Sequence, residues 1–243
     1  MKFHCLMHSF RKHRFDCLLI ALTFACVIVM FIASSDPVLP SIRGTAAHGL
    51  LKQFQTGNQI AFDLSVGLLA GVFMYYLVVR VPEQTKRRRL RTNLVETYRS
   101  FKKDSIAVYL GCFMPSYPAE LPETLSKQAE FRKFFSEPHV PDQDRWHAVA
   151  NGLNEYRLKS LVVELEILMQ EIHFTLSAID VQDHRAFQFL KHLSKIIYRS
   201  KNWTTEYDDV KSMMGFLWSL HTGWSWADGY AESDPIAEMI AAI

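Results

Sequence analysis

Residues 60–79 read IAFDLSVGLLAGVFMYYLVV, twenty residues with a single charge, Asp63. At about 1.5 Å of rise per helical residue, that length matches a hydrocarbon core of roughly 30 Å. The stretch predicts a membrane-spanning helix. Arg80 follows at once and opens a basic collar with Lys86, Arg87, Arg88, Arg89 and Arg91. Positive charge concentrated beside a span holds that end in the cytoplasm. The collar reads first as a topology determinant. It reads second as a surface for anionic lipid, at about 1 kcal/mol per residue.

Toward the N-terminus, residues 17–33 read CLLIALTFACVIVMFIA, a second uncharged run. The leader before it, residues 1–16, carries four Lys/Arg against one acid. A secretory signal has the same order of parts, but its apolar centre is only about 7–15 residues and closes on a small-residue cleavage site. Here the run continues into SSDPVLP, so the expectation is an uncleaved first span. The connector, residues 34–59, holds only Arg43 and Lys52 as bases. A short interfacial helix is expected over residues 46–55. Basic flanks on both sides of a weakly charged connector put both termini in the cytoplasm and the loop outside. The expected location is a bacterial inner membrane, with the chain crossing it twice in a hairpin over residues 17–80.

The spans contain small residues at regular spacing. Gly67 and Gly71 form a GxxxG pair, with Asp63 four residues before and Tyr75 four after. Ala21 and Ala25 repeat the spacing in the first span. Small residues four apart let helix backbones approach closely where lipid supplies no hydrophobic drive. This face can serve packing of the two spans within one chain, or self-association between chains. Asp63 lies near the outer end of its span, as an interfacial residue or a polar contact in an oligomer.

Beyond the collar the chain changes character. From Asp104 to Ile243 there are 12 Lys/Arg against 20 Asp/Glu, a net of −8. An acidic region of this kind argues against direct nucleic-acid binding, which needs a basic face. Residues 81–110 predict a long juxtamembrane helix with Leu90, Leu94, Tyr98 and Phe101 on one stripe. Prolines at 115, 118 and 122 mark a linker, and a short helix is expected over residues 123–135. Asp142 or Asp144 stands ready to cap one long helix running from Trp146 to Ile179. Further helices are expected over residues 183–198, over residues 205–221 and from Pro235 onward. Residues 111–243 then form an all-α cytoplasmic domain, with no β-alternation of useful length.

No catalytic signature, cofactor motif or metal-ligand spacing stands out. GxSxG, Walker, HExxH and GxGxxG patterns are absent, and the four cysteines give no CxxC pair. The expectation is a non-enzyme without cofactor or metal. His221, near Asp228, is weighed as an active-site residue and set aside. Trp218, Trp224, Trp226 and Tyr230 form a dense aromatic cluster, read as the closing corner of the helical core or as a partner-binding surface.

A two-span hairpin at Cys17–Ala33 and Ile60–Val79, a collar from Arg80 and a helical domain to Ile243 resemble the two-transmembrane effectors that accompany retrons in bacterial antiviral defence. The resemblance lies in the architecture and transfers no individual residue. It implies an abortive-infection toxin, held quiet by a cytoplasmic protein or ribonucleoprotein partner and released to damage the inner membrane. The other reading is a non-toxic inner-membrane adaptor or sensor whose helical domain docks a partner.

Overall fold

The computed structural model describes residues 2–33 and 59–243 apart from Trp226, with the side chains described from Cys17 onward. The connector and its expected interfacial helix lie outside the described residues. Contacts divide the chain into two compact units, Met1–Lys86 and Arg87–Ile243.

In the first unit, α1 (Lys2–Ala33) packs against α2 (Gln59–Tyr75). A π-helical turn, Tyr76–Arg80, follows α2 and leads directly into α3 (Val81–Phe113). Pro82 accounts for the turn. A proline has no N–H to donate, and its ring collides with the carbonyl four residues back. The wider turn relieves that crowding, and the Val81 N–H donates to the Tyr76 carbonyl five residues back. The uninterrupted helix Gln59–Phe113 is the one helix among the described residues that is long and apolar enough to cross a membrane. Cys17–Ala33 is a shorter apolar helix, at the low end of the roughly 17–25 residues a span requires.

The second unit is helical, as the periodicity predicts. Its elements after α3 are α4 (Leu121–Leu125), α5 (Gln128–Ser136), α6 (Arg145–Gly152), α7 (Glu155–Ala178), α8 (His184–Ser200), α9 (Tyr207–Thr222) and α10 (Pro235–Ala241). Of the expected stripe, Leu94, Tyr98 and Phe101 lie in the core of this unit, joined by Ile106, Tyr109 and Leu110, and Leu90 is buried as well. The helix expected as a juxtamembrane element is thus a structural member of the domain from Arg87 onward, and the division falls inside the basic run rather than at residue 110.

Three local expectations are corrected. The long helix from Trp146 to Ile179 is two helices. Asp144 caps α6 through the His147 N–H at 2.8 Å, and Leu153 is then extended. Asn154 opens α7 by accepting from the Arg157 N–H at 2.9 Å. An Asn side chain that satisfies a first-turn donor favours a fresh helix start over continuation. The helix expected over residues 123–135 is likewise split, into α4 and α5. Two small antiparallel hairpins also occur. One is β1 (Pro138–Val140) with β2 (Gln143–Asp144), the other β3 (Trp224–Ser225) with β4 (Gly229–Tyr230). The first turns through Asp142 at φ 65°, a left-handed conformation that Asp tolerates.

Candidate functional site

The α1–α2 seam follows a three-and-four spacing on both helices. Leu19, Thr23, Cys26, Met30 and Ala33 of α1 are shielded, as are Phe62, Ser65, Leu69 and Val72 of α2. The Ser65 hydroxyl donates to the Ala61 carbonyl at 2.8 Å, so this small polar residue enters the seam with its hydrogen bond made within its own helix.

The predicted small-residue face lies elsewhere. Gly67, Gly71, Ala21 and Ala25 are all exposed. A Cβ built at Gly67 or Gly71 meets nothing within 4 Å among the described residues. Of the two uses read for this face, packing of the two helices of one chain finds no contact at these glycines among the described residues. Helical spacing gives the reason: at about 100° per residue, Gly67 stands on the opposite side of α2 from the Phe62–Ser65–Leu69–Val72 seam. Asp63 shares the outward face, exposed, with the Gln59 amide donating to its carboxylate at 3.2 Å. Tyr75 does not stay with them. Each step of four overshoots a turn by about 40°, and three steps carry Tyr75 round toward α1, where it is half-buried.

Of the collar, Lys86 lies in the first unit and Arg87, Arg88, Arg89 and Arg91 in the second. All are exposed except Arg87, which is half-buried and donates to the Asp180 carbonyl at 2.5 Å. Arg87 is thus tied into the helical unit, whereas its neighbours in the run are not shielded.

The aromatic cluster separates into core and surface. Trp218 packs against Trp146 and Phe131, at centroid distances of 5.3 and 5.9 Å. Trp224 and Tyr230 face each other across β3–β4. Tyr230 is exposed, with the Arg132 guanidinium over its ring at 4.8 Å. Trp226 lies outside the described residues.

His221, set aside above as an active-site residue, is buried in the helical core. Its partner is Tyr109 of α3, hydroxyl to Nε2 at 3.1 Å, with both residues buried. Phe131 stacks on the imidazole at 4.8 Å and 9°, and Phe101 stacks at 5.8 Å. Burial, followed by the charge of Lys102, pulls the imidazole down to about 3. It is therefore neutral at ordinary pH, a polar contact between α3 and α9 inside an aromatic shell. The signal was present: continuing the three-and-four spacing of Met214 and Leu217 lands on His221.

Comparison of the chain with protein-family models, with curated proteins and with solved structures finds no match.

Among the described residues no group of three or more His, Cys, Asp or Glu is placed to hold a metal ion. Cys112 is a partly buried thiol pushed up to about 11 by desolvation, a poor nucleophile at neutral pH. Asp234 is a structural junction. It caps α10 through the Ile236 and Ala237 N–H groups at 3.1 Å and accepts from the Tyr98 hydroxyl and from Lys102 Nζ at 3.0 Å.

Proposed function

We propose that the chain is a membrane-embedded effector of an antiphage abortive-infection system. Both α1 and α2 cross the inner membrane, with the two termini cytoplasmic. A cytoplasmic partner acting on the helical unit restrains the hairpin, and on release the hairpins of several chains associate and breach the bilayer. The observation that carries this reading is the outward direction of the small-residue face. Glycine inside a helix is about 1 kcal/mol worse than alanine in helix propensity. Neither Gly67 nor Gly71 has a described neighbour within the chain that requires it. Close approach of a second backbone is what GxxxG permits in lipid. The apolar surface that the seam leaves uncovered, including Leu18, Phe24, Leu64 and Phe73, is of the kind that hydrocarbon solvates.

The test is induced expression of the full chain in bacteria, read with a membrane-potential dye and a viability count. A Gly67→Leu, Gly71→Leu variant runs alongside at matched membrane abundance. Rapid depolarisation by the wild type and not by the variant is the expected result. Depolarisation equal in both sinks assembly through this face.

The second reading, a non-toxic adaptor or sensor, draws on Tyr230 and Arg132, an exposed aromatic stacked with a guanidinium, the pairing found at anchors of protein interfaces. Normal potential from the full chain and also from a chain ending at Lys86 favours it.

A further inference from the structure

Helix α7 carries two apolar stripes. One is buried in the core of the second unit and runs from Leu158 through Leu165 to Ile172. The other consists of Tyr156, Val163, Ile167 and Phe174, which are 79%, 51%, 48% and 55% exposed. At about 100° per residue these four fall on the side of α7 opposite the core. Their steps of seven, four and seven keep them in one line, the spacing of a helix that packs against another helix. Tyr198 of α8, 62% exposed, widens the patch. Lys201 ties it to α7, pairing with Glu166 at 3.0 Å while lying over the Tyr198 ring at 5.6 Å. Scattered apolar residues on a surface need no partner, but a continuous apolar stripe along one helix does.

We propose that this face joins two copies of the chain, with their α7 helices antiparallel about a two-fold axis at the level of Leu165. The stripe is symmetric about that level. Tyr156 and Phe174 lie nine positions to either side of it, Ser160 and Gln170 five, Val163 and Ile167 two. The two-fold sets Tyr156 against Phe174 of the other copy and Val163 against Ile167, and brings the Ser160 hydroxyl level with the Gln170 amide. Each pair occurs twice, as an isologous interface requires. Read in reverse, the stripe keeps its profile, with rings at both ends and branched aliphatics between them. A foreign helix imposes no such condition. Antiparallel helices also set opposite ends of their macrodipoles side by side. The area suffices. An aromatic side chain offers about 200 Å², so Tyr156, Phe174 and Tyr198 at their exposures supply roughly 400 Å² per copy. With Val163 and Ile167 added, the two copies together pass the roughly 1,000 Å² of a specific interface. Glu164, Glu166 and Glu171 flank the stripe, which disfavours an anionic lipid surface as its cover. The proposal does not depend on the reading of α1 and α2 as membrane spans.

The test uses the full chain in a neutral detergent, with Gly67→Leu and Gly71→Leu already in place so that association through the outward face of α2 does not contribute. Analytical ultracentrifugation over a concentration series is expected to show a monomer–dimer equilibrium. Val163→Glu with Ile167→Glu places two charges at the centre of the stripe and should raise the dissociation constant at least about tenfold. Both positions face solvent in the single chain, so the melting midpoint should hold. Tyr207→Ser, a change at an exposed ring of α9, should leave the equilibrium as it is. Disulfide trapping reads the direction, with the four native cysteines changed to serine. A disulfide needs Cα atoms within about 7 Å, and positions 156 and 174 stand about 27 Å apart along the helix. Tyr156→Cys chains mixed with Phe174→Cys chains should therefore crosslink, and neither should crosslink with itself. Crosslinking of each variant only with itself overturns the proposal, because the helices then run parallel. A dimer indifferent to the two glutamates overturns it, because another surface then joins the copies. A monomer at every concentration overturns it too. In that case, shielding of Tyr156→Cys from a maleimide in intact cells assigns the face to a different protein. With both glycines already changed, none of these failures bears on the proposed assembly of the hairpins.

Discussion

Gly152 ends α6 where its Cα closes onto the α3 backbone. A Cβ there would stand 2.2 Å from the Cys112 carbonyl oxygen. Arg157 completes the junction, donating to the Gly152 carbonyl at 2.8 Å and to the Gly111 carbonyl at 2.7 Å. Backbone cannot give way as a side chain can, so Gly152→Ala is expected to cost about 3 kcal/mol, the upper end of the roughly 1–3 kcal/mol range for forced overpacking. Thermal melting followed by circular dichroism checks it, and an unchanged midpoint would contradict this packing. Asp234 carries a comparable load by charge. Asp234→Ala removes the α10 cap, worth about 1 kcal/mol, and leaves Lys102 partly buried without its carboxylate. A loss of about 2–4 kcal/mol in urea unfolding is expected. Asp234→Asn, which keeps the cap but not the ion pair, should fall between Ala and wild type. The outward glycines predict the opposite pattern: under the proposed assembly, Gly67→Leu with Gly71→Leu leaves the α1–α2 seam intact and is expected to remove association between chains. Disulfide trapping of single-cysteine variants on that face reads this directly.

At the scale of elements, α3, α5 and α9 meet through Tyr109, Phe131 and His221, and the meeting is acid-sensitive. His221 has its folded pKa depressed to about 3 from 6.5. The unfolded chain therefore binds a proton that the folded chain refuses as the pH falls below about 6.5. The stability this residue contributes is full above that pH and declines toward the folded value. Between about pH 6.5 and 5 the decline is about 2 kcal/mol for one group. Chemical denaturation at those two pH values measures it. His221→Phe should flatten this dependence while lowering stability at neutral pH, because the buried Tyr109 hydroxyl loses its partner. The helix boundaries have causes on the same scale. Asn154 restarts a helix that hydrophobic spacing alone carries through, and Gly223 at φ 66° ends α9 in the left-handed region. Pro82 shifts the register of the helix that bears it.

At the scale of the whole molecule, the second unit owns a core drawn from α3 and every later helix. A chain of residues 87–243 is expected to remain soluble and unfold cooperatively on its own, checked by calorimetry, and aggregation with loss of a melting transition would contradict that division. A cut at residue 104 would instead sever α3 through its buried stripe. The amino-acid sequence by itself determined the helical class, the apolar runs at 17–33 and 60–79, the basic collar and the acidic remainder. Each depends on local composition and on a period that neighbouring residues repeat. It also narrowed the cap of α6 to Asp142 or Asp144, since a cap is a contact across two or three residues. Only the tertiary structure decided which face of α2 meets α1, because apolar residues occupy every side of a lipid-suited helix and hydropathy carries no direction there. Only the fold brought Tyr109 to His221, 112 positions away in the chain. Only the fold turned Arg80 inward, because one proline's steric demand changed the turn before it and the packing of a second helix gave that change a direction.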